Sequence, residues 1–427
     1  MSTSTAPDTS GAQRWLIAAA GAVVMLAIGG VYGWSVFTGP LQEEFGWSST
    51  QALLPYVVLH GVIFVGTFVG GRIQDRIGPR PVALVGIAVY SVGVALSALT
   101  SEPEHLWVMI VTYGVLGGLG LGLAYIVPPS VLSKWFPDKR GLANGIAVGG
   151  FGAGALITGP IGEPMIAAFG SVPPVLGVLG IGYLVVGVAA SLLLRDPPSE
   201  EDDDEDADAA EEAGGDFSLG EALRTPQFYL LTGMFTLSVI IGNAFISQAS
   251  PIAQEISGAD AGAAALLVGV IGLFNAGGRP GWAAVSDKIG RMTTFRIMLP
   301  ISAVAFVLMP NAGTVFAVLF VLACVAILNY GGAFGTMPSV SADFFGTTNG
   351  GAIYGIMLVA WSIGGVIGPL GVSMVYEATG SFDIALYGFG GLALVALALT
   401  MITRPPQQDD EQADDRTQAS SSAGQRR

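Results

Sequence analysis

The chain has 427 residues, of which 52% are hydrophobic and only 11% charged. A soluble domain carries roughly a quarter charged residues, so this composition excludes one. Apolar runs recur along the whole length, which points to a polytopic membrane protein, and the lone cysteine, Cys324, excludes an internal disulfide.

The opening stretch, 1–14, is Ser/Thr-rich and lacks a basic leader, so no cleaved signal peptide is expected. Twelve apolar segments follow, near 15–38, 50–70, 81–100, 105–127, 141–163, 172–194, 227–249, 262–283, 294–310, 313–337, 350–373 and 382–403. Each suits a helix crossing a hydrocarbon core about 30 Å thick. The runs are continuous rather than alternating, which excludes a membrane β-barrel. The expected fold is therefore all-α and polytopic. An amino-terminal six-helix half covers 15–194 and a carboxy-terminal half 227–403. Between them lies a linker, 195–226, and after them a tail, 404–427.

The net charge of −15 is concentrated outside the apolar segments. Thirteen acidic residues lie between Arg195 and Arg224, most within 200–212, and five more follow Arg404. Such runs are solvated segments. Lys and Arg set orientation, because they collect in cytoplasmic loops. Of the seventeen, the sixteen other than Arg279 fall on one side: Arg14, Arg72, Arg76, Arg80, Lys134, Lys139, Arg140, Arg195, Arg224, Lys288, Arg291, Arg296, Arg404 and the tail. The opposite loops carry acids such as Glu43, Glu102, Glu255 and Glu377. Both termini and the linker are expected to be cytoplasmic in a multi-pass protein of the cell membrane.

The halves repeat. Asp75-Arg76-Ile77-Gly78 matches Asp287-Lys288-Ile289-Gly290 at an offset of 212 residues, and Pro129-Ser130-Val131 matches Pro338-Ser339-Val340 at 209. Gly159-Pro160 and Gly368-Pro369 are also 209 apart. Same-sense repeats of six helices characterise rocking secondary transporters, whose site lies between the halves near the midplane.

Arg279 lies inside the eighth apolar segment, where a charge is expensive and functional by default. A planar guanidinium clasps a carboxylate through two parallel hydrogen bonds, and a dry site strengthens the attraction. No Asp or Glu stands in the middle of any segment, so the expected counter-ion is the substrate. At about 1.5 Å per residue, Arg279 is about 12 Å from Asp287, and Asn275 is one turn further in on the same face. Tyr125, Tyr330, Trp361 and His60 fall at about 13 to 20 Å by the same arithmetic, with Tyr32 deeper. Tyr hydroxyls and the Asn275 amide can donate to carboxylate oxygens. Tyr125 and Tyr330 are expected to stand at matching places in the two halves, each shortly before the Pro-Ser-Val motif. His60, the one histidine within a segment, could bind substrate or carry a proton.

The loop Gly71-Arg72-Ile73-Gln74-Asp75-Arg76-Ile77-Gly78-Pro79-Arg80 resembles the signature of the major facilitator superfamily. Tyr32-Gly-Trp34-Ser35-Val36-Phe37, Trp135 through Gly141, Asn329-Tyr330-Gly331-Gly332, and Tyr354-Gly355 leading to Trp361 are similar to the oxalate/formate antiporter family and the related monocarboxylate transporters. The resemblance implies that Arg279 meets a substrate carboxylate. It also implies that Asp75, Arg76, Arg80, Arg140, Asp287 and Lys288 form a cytoplasmic gate. Oxalate-type members are expected to carry a lysine in the eleventh helix. Here that segment has no Lys or Arg, and Trp361 stands at about that place. Proton-coupled monocarboxylate carriers often have an acid where this chain has Asn275.

The expected function is therefore secondary transport of small organic anions, most of all monocarboxylates resembling formate, acetate, lactate or pyruvate. The second partner would be a coupled proton or a counter-anion. The alternatives are a dicarboxylate exchanger of the oxalate/formate type or an exporter of drugs and other amphiphiles. No Walker loop, HExxH or nucleophile–base pair is present, so an enzyme is not expected. Neither are a cofactor, a metal or nucleic acid. The protein is expected to work as a monomer in the lipid bilayer.

Overall fold

A backbone in hydrocarbon must satisfy its polar groups within its own segment, and each apolar segment is accordingly helical. The computed structural model describes residues 9–136, 145, 148–197, 217–346 and 349–404. Expectations placed on Arg140, on 198–216 and on the tail beyond 404 lie outside the described residues, as does the side chain of Asp75.

In chain order, α1 spans Thr9–Gly29 and, after a tight turn at Gly30–Gly33, continues as Ser35–Phe45. Then come α2 (Ser49–Ile77), α3 (Pro79–Leu96), α4 (Pro103–Trp135, with a widened turn at Ile110–Leu116), α5 (Ala155–Phe169) and α6 (Val172–Ser191). The second half holds α7 (Pro226–Ser247, continued by Ala249–Ser257), α8 (Ala261–Ile289), α9 (Arg291–Ala312), α10 (Phe316–Phe345), α11 (Gly350–Met357 and Val359–Thr379) and α12 (Asp383–Ile402). There is no strand among the described residues. Eleven of these helices are long and apolar enough to cross a membrane. The remaining one, α5, is preceded by helical residues at 148–152.

Several helices outrun their expected ends, among them three that stop at the same kind of residue. α2, α8 and α10 continue to Ile77, Ile289 and Phe345, rather than 70, 283 and 337. An apolar window stops at the first charges, whereas the helix persists in water until a residue ends it. Gly78, Gly290 and Gly346 do so at φ of 83°, 91° and 88°, where a side chain would be strained.

The repeat is written into the same geometry. Gly78 pairs with Gly290, and Gly46 (φ 65°) with Gly258 (φ 66°), both at a spacing of 212. Gly170 and Gly380, at φ 70° and 71°, close α5 and α11. Ser48 caps α2 by accepting from the Gln51 amide, and Asp260 caps α8 by accepting from Ala263 at 2.7 Å. The two caps are again 212 residues apart, and each satisfies an orphan donor of a first turn.

Small residues let the helices touch, as in other membrane bundles. A Cβ on Gly154 would overlap the backbone of Gly29, and one on Gly120 the backbone of Tyr90. Gly154→Val is therefore expected to stop the first half from packing, read as loss of the monodisperse peak in detergent size-exclusion chromatography. Gly391→Val, at a glycine with open space around it, should keep the peak. An intact peak for Gly154→Val would refute the close crossing.

The halves meet chiefly through α2 against α11 and α5 against α8. Hydrogen bonds between them collect toward the face that carries the acidic loops. Thr50 donates its amide to Glu377 at 2.7 Å and its hydroxyl lies 3.1 Å from that of Ser373, while Gln248 donates to Ser49 at 3.0 Å. On the basic face, the polar contacts of described residues stay within one half. Lys134 pairs with Asp196 at 3.0 Å, Arg80 donates to the Leu194 carbonyl at 3.2 Å, and Gln74 to Ser130 at 2.7 Å. Asp287 pairs with Arg291, which also reaches Asp343 at 3.2 Å. The expected gate pairing across the basic face is thus absent here among the described residues, and the halves are tied at the acidic face.

Candidate functional site

Arg279 sits ten residues before the end of α8, roughly 15 Å from its basic-face terminus at 1.5 Å per residue. Its side chain is buried, with 2% of its surface exposed. Nε and Nη1 have no hydrogen-bond partner. The guanidinium lies over Phe334 of α10, 5.0 Å from the ring centroid, and faces Phe151, just before α5, at 6.0 Å. Cation–π contacts of this kind hold a charge by about 0.5–2 kcal/mol each, but they leave the in-plane N–H donors open. A buried guanidinium that is stacked and still short of acceptors is ready for a small anion.

The walls are aromatic. Trp361 of α11 packs on Tyr125 (4.8 Å), Phe151 (5.3 Å) and Phe334 (5.9 Å) between ring centroids. Its indole N–H is buried within hydrogen-bonding reach of the Tyr32 hydroxyl. Tyr125 also touches Phe151 at 5.3 Å, and Tyr32 lies on the other side of that ring at 5.0 Å. Sequence reading did not single out Phe151 or Phe334. The glycines around Phe151 invite close packing, and an aromatic inside an apolar run has the same hydropathy whether it packs or lines a site. One signal for Phe334 was available. The offset of 209 that aligns the Pro-Ser-Val motifs pairs Tyr125 with Phe334, not with Tyr330, and these are the two residues that flank Trp361.

Tyr330 stands one turn from Phe334 and has a different place. Its hydroxyl lies 3.1 Å from that of Tyr32 and accepts from Asn243 Nδ2 at 3.0 Å. Asn243 Oδ1 in turn accepts from Tyr56 at 2.9 Å. Two predicted donors, Tyr32 and Tyr330, are therefore hydrogen-bonded to each other between the halves. Asn275 is buried against Gly331 of α10, its Oδ1 without a partner. His60 lies wholly inside, its Nδ1 2.9 Å from the Tyr56 carbonyl, its ring 6.2 Å from Trp361 and packed on Gly365. Tyr354, at the start of α11, lies within electrostatic reach of Arg279 and Tyr125. Of the basic-face residues, Arg76 and Lys288 point to solvent and Arg80 is fixed to Leu194.

One expectation is corrected. α5 runs to Phe169, beyond the anticipated 163, so Glu163 stands inside a helix. It is six residues from the acidic-face end, roughly 9 Å, whereas Arg279 is eighteen residues from the same end of α8, roughly 27 Å. Glu163 is too shallow to neutralise Arg279, and Arg279 forms no ion pair among the described residues.

Comparison with known proteins agrees with this architecture. The sequence matches the profile of the Major Facilitator Superfamily over residues 17–369 and again over 240–424. It is similar to the oxalate:formate antiporter of Oxalobacter formigenes, at 29% identity over 92% of this chain and 93% of that one. It is also similar to apicoplast pyruvate carrier 1 of Toxoplasma gondii, at 27% identity over 69% and 64%. Among solved structures, a bacterial homologue of the human lysosomal transporter Spinster, in an inward-facing and unoccupied conformation, superposes with a TM-score of 0.65. It covers 92% of this chain and 95% of its own at 18% identity, which speaks to the fold alone.

Proposed function

We propose that this chain, which belongs to the Major Facilitator Superfamily, carries small organic anions across a membrane by alternating access and holds one carboxylate on Arg279. The observation that carries the reading is the buried guanidinium with open N–H donors between two aromatic rings. The similarity to an oxalate:formate antiporter and a pyruvate carrier supports the same class of cargo.

The physics favours a carboxylate over a neutral or cationic solute. Opposite charges about 4 Å apart attract by about 4 kcal/mol at an effective dielectric constant near 20. Phe151, Phe334, Trp361 and Tyr125 exclude water around that pair. Among the described residues Arg279 is the one fixed cation at this depth, so a monocarboxylate such as formate, acetate, lactate or pyruvate balances the site. The basic face is assigned to the cytoplasm by the placement of Lys and Arg, with the linker 195–226 and both termini on that side of the cell membrane. The halves 15–194 and 227–403 rock about the α2–α11 and α5–α8 contacts. Opening at the acidic face breaks the ties there and lets the motif loops approach on the other.

Counterflow in proteoliposomes tests the reading. Vesicles preloaded with unlabelled pyruvate should take up labelled pyruvate at least tenfold faster than empty vesicles, and formate, acetate or lactate outside should compete. Indifference to every carboxylate, with accelerated exchange of an uncharged or cationic amphiphile, would refute it.

A further inference from the structure

We propose that His60 is a second, protonatable anchor of this site, which lets a short dicarboxylate bind together with one proton. The inference rests on the carboxylate reading of Arg279 and deepens it. It begins from a buried polar atom that the fold leaves open beside the aromatic wall of the site. The Nδ1 of His60 is 2.9 Å from the Tyr56 carbonyl of its own helix. A carbonyl only accepts, so Nδ1 carries the hydrogen and Nε2 is the bare acceptor. Nε2 is buried and has no partner. The neighbouring ring is Trp361 of the site wall, 6.2 Å away and edge-on. Native cores seldom leave a buried acceptor unmet. A bare Nε2 beside the aromatic wall of the Arg279 site marks a place for a donor, or for an anion once Nε2 is protonated.

The surroundings decide when that proton can stay. On α2 the nearest titratable group is Tyr56, stacked on the imidazole at 4.2 Å. α7 contributes Asn243, held by Tyr56. α11 contributes Trp361 and Gly365, neither titratable. α4 packs Gly114 and Gly118 on Val58, Leu59 and Val62, and its Tyr125 lies beyond Trp361. Among the described residues no Asp or Glu pairs with His60, and no Lys or Arg is bonded to it. An imidazolium there has no counter-ion in the protein, and an uncompensated buried charge is strongly disfavoured. A second carboxylate supplies the missing charge. Proton and dianion then bind cooperatively, each raising the affinity of the other by the same factor.

The charge balance is simple. Arg279 takes the first carboxylate and protonated His60 takes the second. One dianion and one proton enter as a unit of net charge −1, so exchange for one monocarboxylate is electroneutral. His60 on α2 thereby does from the amino-terminal half what a fixed cation on α11 would do from the other, but only when a proton is available.

The test uses full-length protein in proteoliposomes loaded with unlabelled pyruvate, with labelled oxalate, malonate, succinate or pyruvate outside, from pH 8 to pH 6. Over this range pyruvate and oxalate stay fully ionised, so the slope is read on oxalate, because the second carboxyl groups of malonate and succinate begin to take up protons near pH 6. In the wild type, the ratio of dicarboxylate to pyruvate uptake should rise by up to about tenfold per pH unit, as one proton requires. His60→Gln should flatten that slope and lower the ratio at pH 6 at least tenfold. His60→Lys should give a high ratio at both pH values. A slope unchanged in His60→Gln, or loss of both substrates in equal measure, would overturn the proposal. So would a wild type that carries pyruvate but no dicarboxylate at pH 6, leaving the carboxylate reading of Arg279 standing. A wild type that carries neither defeats that reading itself.

Discussion

Arg279→Ala is expected to bring pyruvate counterflow down to the level of empty vesicles, a loss of at least about 100-fold. Hydrogen bonds to charged groups are worth about 1.5–3 kcal/mol each, and a two-pronged clasp loses both. At 1.4 kcal/mol per factor of ten, two such bonds exceed 100-fold in affinity. Arg279→Lys keeps the charge but not the planar fork, so it should retain transport at least tenfold above Arg279→Ala while its apparent affinity falls at least tenfold below wild type. Stability provides a second readout. A ligand at 100 times its dissociation constant stabilises the folded state by about 2.7 kcal/mol. Pyruvate should therefore raise the melting temperature of the wild type in detergent and leave that of Arg279→Ala unmoved. Carboxylate transport or ligand stabilisation surviving in Arg279→Ala would remove the guanidinium from the site. The experiment is sharp because Nε and Nη1 of Arg279 have no hydrogen-bond partner in the protein whose loss would disturb the fold.

Arg279 was legible in the sequence because hydropathy makes a lone charge conspicuous. The same is true of the alternation of basic and acidic loops, and of the 212-residue repeat that the paired glycines at 46 and 258 and at 78 and 290 restate in backbone angles. The walls of the site were not legible. Phe151, Phe334 and Tyr56 are apolar or nearly so, and only the packing of α5 and α10 against α8, and the hydrogen bond from Tyr56 to Asn243, give them a role. Asn243 is polar and mid-helix, a feature the search for charges passes over. Depth along a helix placed Tyr32 and Tyr330 near Arg279 correctly, but depth does not say where a hydroxyl points. Their mutual bond depends on how α1 and α10 lean together. The ends of α2, α8 and α10 escaped for a related reason. Hydropathy reports where the membrane ends, while the glycines report where the helix ends.

That lean bears on how the transporter turns over. Tyr56 and Tyr32 belong to the first half, Asn243 and Tyr330 to the second, and their hydrogen bonds cross between the halves deeper than the Thr50–Glu377 and Ser49–Gln248 contacts. Opening the acidic face must break them all. Asn243→Ala removes the donor to Tyr330 and the acceptor for Tyr56 at once, leaving two buried hydroxyls short of partners only while the halves are tied. Water can meet those hydroxyls once the face opens. An unsatisfied buried group costs about 1–3 kcal/mol, so the balance should shift toward the acidic-face-open state by about 5- to 150-fold. Spin labels at Glu102→Cys and Ala378→Cys, both exposed at that face, in a Cys324→Ser background, would report a longer distance population in Asn243→Ala than in its parent. Unchanged distances would show that the deep tie does not hold the halves. Tyr32 and Tyr330 also lie within electrostatic reach of Arg279. A carboxylate arriving there competes for the same hydroxyl protons that join the halves, so binding loosens the tie that opening must break. Added pyruvate should therefore lengthen the distances in the parent and lengthen them less in Asn243→Ala, where the Tyr56 bond is already lost and only the Tyr32–Tyr330 pair is left to loosen at this depth.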